Sequence, residues 1–382
     1  MSAPVSRRSL LKTGAGLVLA SAANPAAAQA AAGKASGALV RPARPLVLGH
    51  RGCCALRPEH TLASYAKAIA DGADFIEPDL VATSDGVLIA RHENNVAETT
   101  DVATRPEFAA RKTTKTIDGH TITGWFTEDF TLAEIKSLRA RERLVNMRAE
   151  SHGYDGQFQI VSFDEIVDFV AAQAATLGRP IGLIPELKHS TYYRRIGLPL
   201  EQAFLNSISR SGYLATTPVI VQSFELANLV ALRQQITGRP NIQLMQLVGA
   251  PHESPADLAA ANDPRRWGDL LTPAGLAQIA SYADWLAPPT RMLIPLDADG
   301  RLARPTGLTA AAHHAGLLVG TWTFRPENAF LPAEWRNGAA SGARNEAGSL
   351  GEIGCYLAEG IDGFFTDDPA IGRAAVRGAS RS

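Results

Sequence analysis

Short apolar runs that alternate with helical segments constrain the fold of this chain more than any other feature. Between residues 46 and 367, nine such runs are rich in Val, Ile, Leu and Phe and are bounded by Gly or polar residues, a pattern typical of buried strands. Strands that alternate with helices pair in parallel through crossover connections. The sequence therefore predicts an α/β protein that forms a TIM (β/α)8 barrel.

The ninth run is one more than such a barrel needs. Only about a dozen residues separate Glu77 from His92, which is too few for a strand, a helix and another strand. We therefore expect the barrel to be irregular around its second and third strands. Either one helix is missing there, or two of the runs form a hairpin.

The segment 94–159 is predicted to be an insertion in a barrel that spans residues 45–375. It is polar and charged, and it is longer than a barrel connection requires, so we expect a lid subdomain over the barrel mouth. Thr131 and Glu134 have the spacing of a capping box, which predicts a helix from Thr131 to Ala140. Apolar anchors favour an ordered segment over a disordered loop: Trp125, Phe126, Phe130 and Leu132.

Residues 1–30 have the pattern of a twin-arginine signal peptide. Arg7 and Arg8 precede a short apolar run, and small residues up to Ala30 follow it. The run is shorter than the ~20 residues that span a bilayer, so no stable membrane insertion is expected. We predict that the Tat export machinery carries the precursor and that the protein is periplasmic or secreted. Residues 31–44 are predicted to be a flexible leader.

The composition argues against nucleic acid as a partner, and it does not decide whether the cysteines are free or form a disulfide. A net charge of −1 offers no broad electrostatic attraction to nucleic acid, and 46% hydrophobic residues suffice for a large core. Cys53, Cys54 and Cys355 form no metal-binding spacing, and the choice between free thiols and one disulfide stays open.

Three carboxylates are placed to converge at strand ends. Glu77 and Asp79 alternate, so their side chains are expected on one side of a strand, and Glu186 ends another strand. Converging carboxylates repel one another unless a cation lies between them. Oxygen ligands favour Ca²⁺ or Mg²⁺ over Zn²⁺. An alternative is that Glu186 and Lys188 form an ion pair inside the barrel.

Two histidines and two cationic side chains complete this set. His50 and His92 follow different strands, and Arg51 and Lys188 add fixed positive charge. A phosphate ester suits such a site, because a cation and Arg/Lys can hold the phosphoryl oxygens. One histidine could then remove a proton while the other donates one to the leaving oxygen. His92 could instead be a hydrogen-bonded structural residue.

At these residues the chain resembles the glycerophosphodiester phosphodiesterase family, in its secreted, insertion-bearing branch. The resemblance covers roughly residues 45–375. The matching motifs are His50-Arg51-Gly52, Pro58-Glu59-His60-Thr61, Glu77-Pro78-Asp79, Thr83-x-Asp85-Gly86, His92-Glu93, Glu186-Leu187-Lys188, Gln222-Ser223-Phe224, Trp322-Thr323-Phe324-Arg325 and Gly363-Phe364-Phe365-Thr366-Asp367. The family commonly has Asn where this chain has His60.

The resemblance implies a TIM barrel that hydrolyses small glycerophosphodiesters to sn-glycerol 3-phosphate and an alcohol with one divalent cation, Ca²⁺ being favoured over Mg²⁺ or Mn²⁺. Carried over by position, the metal ligands are Glu77, Asp79 and Glu186, and the acid/base pair is His50 and His92. Arg51 and Lys188 hold the phosphate. Glu59 supports the site, through the glycerol or through a histidine.

Two other functions compete with this one. A phospholipase C- or D-like phosphodiesterase on the same barrel would be indicated by an exposed apolar rim on the insertion. A non-catalytic binding protein would be indicated by a missing histidine or carboxylate at a strand end, and the sequence has them all.

Overall fold

The computed structural model describes residues 40–379, and within them a closed barrel of eight parallel strand positions is surrounded by helices. The last two positions join through backbone hydrogen bonds, from Phe365 N to Thr321 O at 2.9 Å and from Asp362 N to Val319 O at 2.8 Å. The predicted TIM barrel is therefore confirmed.

The barrel strands follow the chain with two interruptions. The strands are β1 Leu46–His50, β2 Phe75–Glu77, β3 Asp79–Ala82, β4 Leu88–Ala90, β5 Thr113–Ile117, β6 His120–Gly124, β7 Gly182–Leu183, β8 Glu186–Leu187, β9 Val219–Ser223, β10 Ile242–Leu247, β11 Trp285–Ala287, β12 Leu318–Val319 and β13 Gly363–Thr366. Around the barrel the order is β1, β2, β7, β9, β10, β11, β12 and β13, and β3 and β8 continue β2 and β7 after Pro78 and Pro185.

The ninth apolar run is β4, which forms a hairpin with β3. Of the two alternatives for this region, a missing helix or a hairpin, the structure therefore has the hairpin. β4 pairs antiparallel with β3, with Val81 opposite Ile89, while the other side of β3 pairs in parallel with β8. The turn between the two strands contains Gly86 at φ +77°. No helix therefore separates β3 from β4, and His92 follows the returning strand of the hairpin.

Helices cover the outside of the barrel. Several begin at a residue whose side chain caps the first turn. At helix α4, Phe163–Leu177, Ser162 and Glu165 form a capping box, and the helix ends at Gly178 in the left-handed conformation. The helices are α1 Leu62–Ala70, α2 Leu132–Ser137, α3 Ala149–His152, α4 Phe163–Leu177, α5 Ser190–Arg195, α6 Leu200–Arg210, α7 Leu226–Gln235, α8 Ala256–Ala260, α9 Trp267–Leu270, α10 Pro273–Ala280, α11 Thr290–Leu293, α12 Leu308–His314, α13 Glu346–Ala358 and α14 Pro369–Ala379.

A short non-helical segment separates α5 from α6. α5 ends before Gly197, which has φ +81°, and α6 begins after Pro199. Left-handed glycine and proline both interrupt a helix, which explains why α5 and α6 are separate.

The insertion is ordered, and it contains a hairpin that the sequence analysis did not predict. β5 and β6 pair antiparallel through a turn at Asp118 and Gly119, both with positive φ. An Asp-Gly pair between alternating residues was the available indication. The predicted capping box of Thr131 and Glu134 is present, although α2 ends at Ser137 rather than Ala140. The anchors Trp125, Phe126 and Phe130 are buried, and Leu132 packs against the core.

The core has two parts. The larger lies between the strands and the surrounding helices and extends under the insertion. The smaller fills the barrel interior, so the barrel is a packed core that leaves its chemistry to the rim. The interior side chains are Leu48, Phe75, Ile184, Ile220, Met245, Leu247, Trp285, Ala287, Leu318 and Phe365.

The predicted signal peptide, residues 1–30, and most of the leader 31–44 lie outside the described residues. Among residues 40–379, no helix combines the length and the apolar character that a membrane span requires.

Candidate active site

A cavity of about 1070 Å³ opens at the carboxyl ends of the barrel strands. Every catalytic or metal-binding residue predicted from the sequence lines it: His50, Glu77, Asp79, His92 and Glu186. The barrel topology explains this convergence, because the carboxyl ends of parallel strands meet at the same rim. Glu59 lies behind the wall, buried against Arg51.

The three predicted metal ligands come together. Carboxylate oxygens of Glu77, Asp79 and Glu186 lie within 4.8 Å of one another, and all three side chains are buried. Pro78 ends β2 between the first two residues, so they belong to two strands rather than one. Asp79 lies directly opposite Glu186 in the parallel pairing of β3 with β8, and this register brings the third carboxylate into the cluster.

The electrostatics of this cluster fit a bound cation. Burial, reinforced by the Asp79 carboxylate, raises the pKa of Glu77 well above its usual range. Burial raises the pKa of Glu186 to about 8 despite the opposing effect of Lys188. Burial opposes ionisation of Asp79 too, but Lys188 and His60 outweigh it and its pKa lies well below its usual range. A divalent cation would let all three groups ionise.

One buried oxygen points to the same conclusion. Among the described residues, none donates a hydrogen bond to Asp79 Oδ1, although Lys188 Nζ lies 3.5 Å away. Buried carboxylate oxygens are normally satisfied by donors or metals. An oxygen-only donor set with an open carboxylate oxygen suits a hard cation such as Ca²⁺ or Mg²⁺.

Two cationic side chains lie beside the carboxylate cluster. Arg51 donates to Glu59 at 2.9 Å and lies 3.4 Å from Asp79, and its backbone N–H donates to Glu77 at 2.6 Å. Lys188 lies 2.9 Å from Glu186. The ion pair weighed as an alternative for Glu186 thus exists within the acidic cluster. Arg51 and Lys188 therefore place two positive charges beside the position that a phosphate would occupy.

The two predicted acid/base histidines lie in different hydrogen-bonding surroundings. His50 ends β1, and its Nδ1 lies 2.5 Å from Asp367 Oδ1. His92 follows β4, and its Nδ1 lies 2.9 Å from Glu93 Oε1. Burial and then Arg51 lower the pKa of His50 to about 4 and that of His92 to about 3. Both rings are therefore neutral in the free protein at pH 7.

Several supporting residues escaped the sequence analysis. His60 is fully buried, with Nε2 2.9 Å from Asp79 and Nδ1 2.9 Å from the hydroxyl of Tyr65. Gln222 donates to Glu77 at 3.3 Å. His60 and Gln222 both lie in motifs that carry the family resemblance, which was the available indication.

Two arginines of the insertion also reach the site, and no local sequence pattern predicts that they do. Arg143 lies 3.1 Å from Glu59, and Arg148 is ion-paired with Asp367, the partner of His50. Glu59 is thus held between Arg51 and Arg143.

Comparisons with known proteins agree with this geometry. Residues 50–371 match the Glycerophosphoryl diester phosphodiesterase family. The chain is 33% identical to Glycerophosphodiester phosphodiesterase GDPD6 of Arabidopsis thaliana over 338 residues, which cover 85% of this chain and 84% of that one.

Solved structures support the same fold. A Silicibacter pomeroyi protein aligns with 89% of this chain and 95% of its own, with a TM-score of 0.62 and 22% identity. A phosphodiesterase of Oleispira antarctica, solved with the product sn-glycerol-3-phosphate, aligns with 87% of this chain and 97% of its own, with a TM-score of 0.53 and 18% identity. By its sequence match over most of its length, this chain belongs to the glycerophosphoryl diester phosphodiesterase family.

Proposed function

We propose that this protein hydrolyses glycerophosphodiesters to sn-glycerol 3-phosphate and an alcohol in the cavity at the barrel mouth. One observation carries the proposal: three buried carboxylates converge between two histidines, with a lysine and an arginine beside them. The Arabidopsis thaliana relative bears the name of this activity, and the Oleispira antarctica phosphodiesterase was solved with this product.

The residues divide the work between binding and proton transfer. Glu77, Asp79 and Glu186 would hold one divalent cation, which would supply positive charge to the phosphoryl oxygens. Arg51 and Lys188 bind the phosphoryl oxygens that the cation leaves free. Glu59 holds the Arg51 guanidinium in place at 2.9 Å.

The two histidines carry the proton-transfer steps. Nε2 of His50 takes the proton from the glycerol 2-hydroxyl, or from a water, as that oxygen bonds to phosphorus. The phosphorus–oxygen bond to the alcohol then breaks, and His92 gives a proton to the departing oxygen. The negative charge of a bound diester raises the pKa of His92 from its low value in the free protein, so that it can carry that proton. Attack by water yields sn-glycerol 3-phosphate directly, whereas attack by the 2-hydroxyl yields a cyclic glycerol phosphate. In that case a water next bonds to phosphorus while the bond to the 2-oxygen breaks, and the histidines return a proton to the 2-oxygen.

A panel of purified glycerophosphodiesters tests the reaction. Activity should appear with Ca²⁺, Mg²⁺ or Mn²⁺, with Ca²⁺ the most effective, and should vanish after treatment with EDTA. Full activity of the chelated protein would exclude the proposed cation site, and inactivity on every diester in the presence of metal would exclude the function itself.

The leaving group separates the roles of the histidines. A p-nitrophenyl phosphodiester of glycerol needs no proton on its leaving oxygen. His92→Ala should therefore lose much less rate on it than on glycerophosphocholine, whereas His50→Ala should lose about 10²–10⁴-fold on both. The reverse pattern would exchange the two roles, and near wild-type rates for both variants on both substrates would exclude acid–base catalysis by this pair.

The insertion hairpin is proposed as a lid that shapes the alcohol side of the cavity. Ile117, Asp118, His120 and Ile122 of this hairpin and its turn line the cavity. Shortening the β5–β6 tip should change the preference among alcohols more than the affinity for Ca²⁺. Identical selectivity in the shortened variant would contradict the lid.

The phospholipase alternative has less support. It calls for an apolar rim, and within the described segment 94–159 Val145 is the one exposed large hydrophobic residue. Small soluble diesters are therefore the favoured substrates, and faster hydrolysis of micellar phospholipid than of glycerophosphocholine would reverse this preference.

We also propose that the Tat machinery exports the protein to the periplasm or beyond, on the motif at Arg7 and Arg8. A variant with Arg7→Lys and Arg8→Lys should stay inside the cell. Unchanged export of this variant would indicate another route.

A further inference from the structure

Arg148 is a buried arginine of the insertion whose guanidinium contacts residues outside the insertion. The residue is 5% exposed and lies immediately before α3. Its guanidinium donates from Nε to Glu327 Oε1 at 2.7 Å and from Nη1 to the Cys54 carbonyl at 3.0 Å. Its Nη2 is hydrogen-bonded to Asp367 Oδ2. All three nitrogens are therefore engaged, which fixes both the position and the plane of the guanidinium.

Asp367 connects this arginine to the active site. One of its oxygens accepts from Arg148, and the other lies 2.5 Å from His50 Nδ1. Burial would raise the pKa of Asp367, but Arg148 and then His50 outweigh burial, so its pKa lies well below its usual range. An ionised carboxylate only accepts hydrogen bonds, so the proton of the neutral His50 ring lies on Nδ1. Nε2 is then the free basic nitrogen of His50.

Stability alone does not explain such an arrangement. Replacing a buried ion pair with apolar side chains of similar volume is often neutral or stabilising, because desolvation offsets much of the Coulomb attraction. Arg148 and Asp367 are both buried, together with Glu327. This cluster is costly to desolvate, and it ends on His50, which lines the cavity. Its better explanation is that it fixes the orientation of the His50 ring.

We propose that Arg148 is a positioning residue for catalysis: the insertion uses it to hold Asp367, and Asp367 fixes the tautomer and ring orientation of His50. This inference rests on the proposed function, in which His50 acts as the base. It also assigns the insertion a second role, since the lid would shape the alcohol side while Arg148 supports the reacting side. The two ends of the contact come from the insertion and from the end of the barrel, since Asp367 directly follows the last strand, β13.

Arg148→Met and Arg148→Lys test the proposal, with Arg111→Met as the matched control. Arg111 lies in the same insertion and pairs with Glu134, away from the cavity. On glycerophosphocholine with Ca²⁺, Arg148→Met should lower kcat by about 10–100-fold, a typical loss when a supporting partner of an active-site group is removed. KM should change by less than about threefold, Arg148→Lys should recover part of the rate, and Arg111→Met should keep it.

The imidazole of His50 gives a readout that needs no substrate. A proton on Nδ1 held by Asp367 should give a strongly downfield NMR resonance, identified by its loss in His50→Gln. Arg148→Met should shift or abolish this resonance, whereas Arg111→Met should leave it unchanged. If Arg148→Met does not fold, Arg148→Lys and Asp367→Asn are measured in the same way.

The results separate the two proposals. A folded Arg148 variant with an unchanged His50 resonance and with kcat within about twofold of that of Arg111→Met would overturn the positioning role. Wild-type protein that hydrolyses no glycerophosphodiester would overturn the proposed function instead, and the positioning role in catalysis would fall with it, even if the resonance had responded to Arg148.

Discussion

Two side-chain clusters at the barrel mouth have similar geometry and opposite electrostatics. In one, oxygens of Glu77, Asp79 and Glu186 lie within 4.8 Å of one another, and in the other the side chains of His50, Cys54 and Asp367 approach within the same limit. The first has a raised pKa at two of its carboxylates. In the second, the carboxylate has a pKa well below its usual range.

The pKa values differ between the two clusters because Arg148 already supplies a positive charge to the second one. Arg148 is ion-paired with Asp367 in the second cluster, and it also contacts the Cys54 Sγ at 3.3 Å. Lys188 and Arg51 only flank the three-carboxylate cluster, and part of the charge of Arg51 is directed to Glu59. Ligand spacing therefore does not by itself define a metal site, because the charge already present decides whether a cation is needed.

The largest expected difference between the clusters is in metal binding. Glu186→Gln should weaken Ca²⁺ affinity by more than about tenfold and lower kcat/KM by more than about 100-fold, since even outer partners of metal ligands contribute roughly 10–100-fold. Asp367→Asn should lower kcat but leave Ca²⁺ affinity within about twofold. Calorimetric titration measures both affinities, and equal loss in the two variants would erase the distinction.

The same two substitutions should change the stability of the metal-free protein in opposite directions. Asp367→Asn leaves Arg148 short of a buried partner and should cost about 3–5 kcal/mol. Glu186→Gln removes a carboxylate whose folded pKa of about 8 exceeds its ordinary value of 4.5. A raised acid pKa destabilises the fold above the unfolded value, so this variant should gain on the order of 1–3 kcal/mol at pH 8. Denaturant unfolding in EDTA checks both signs, and a shared sign would contradict the contrast.

The pH dependence of Ca²⁺ affinity should sharpen the comparison further. Because Glu77 and Glu186 both have raised pKa values and must both ionise to bind a cation, affinity should rise toward pH 8 by up to about tenfold per pH unit for each proton released. Titrations in two buffers of different ionisation enthalpy would detect the proton released. A flat profile between pH 6 and 8 would mean that the three carboxylates are already ionised without metal.

The smallest expected effect concerns His189, where a titratable cation sits between two carboxylates. Burial would lower the pKa of His189, but hydrogen bonds to Asp118 at 2.6 Å and to Glu93 at 3.1 Å raise it to about 9. Its stabilising contribution is therefore present below pH 6.5 and is lost as the pH rises through 9. His189→Gln should cost about 1 kcal/mol at pH 6, since Glu93 is partly exposed, and almost nothing at pH 10. A difference that does not change with pH would show that His189 is neutral throughout.

Much of the fold and the central residues of the site could be predicted from the sequence, because both depend on local patterns. Apolar runs mark strands, and residues that follow parallel strands meet at one rim, so Glu77 and Glu186 could be placed together although 108 residues lie between them. The capping box at Thr131 is local in the same sense.

Only the tertiary structure decided the contacts that no local sequence pattern encodes. The pairing of β3 with β8, the pairing of His50 with Asp367 and the reach of Arg148 from the insertion into the barrel depend on how distant segments pack. Their partners are fixed by packing and buried charge, which bring together residues far apart in the chain. The sequence by itself determined which groups stand at the mouth, and the packing decided that Asp367 receives its positive charge from Arg148 while the three-carboxylate cluster is left in need of a metal.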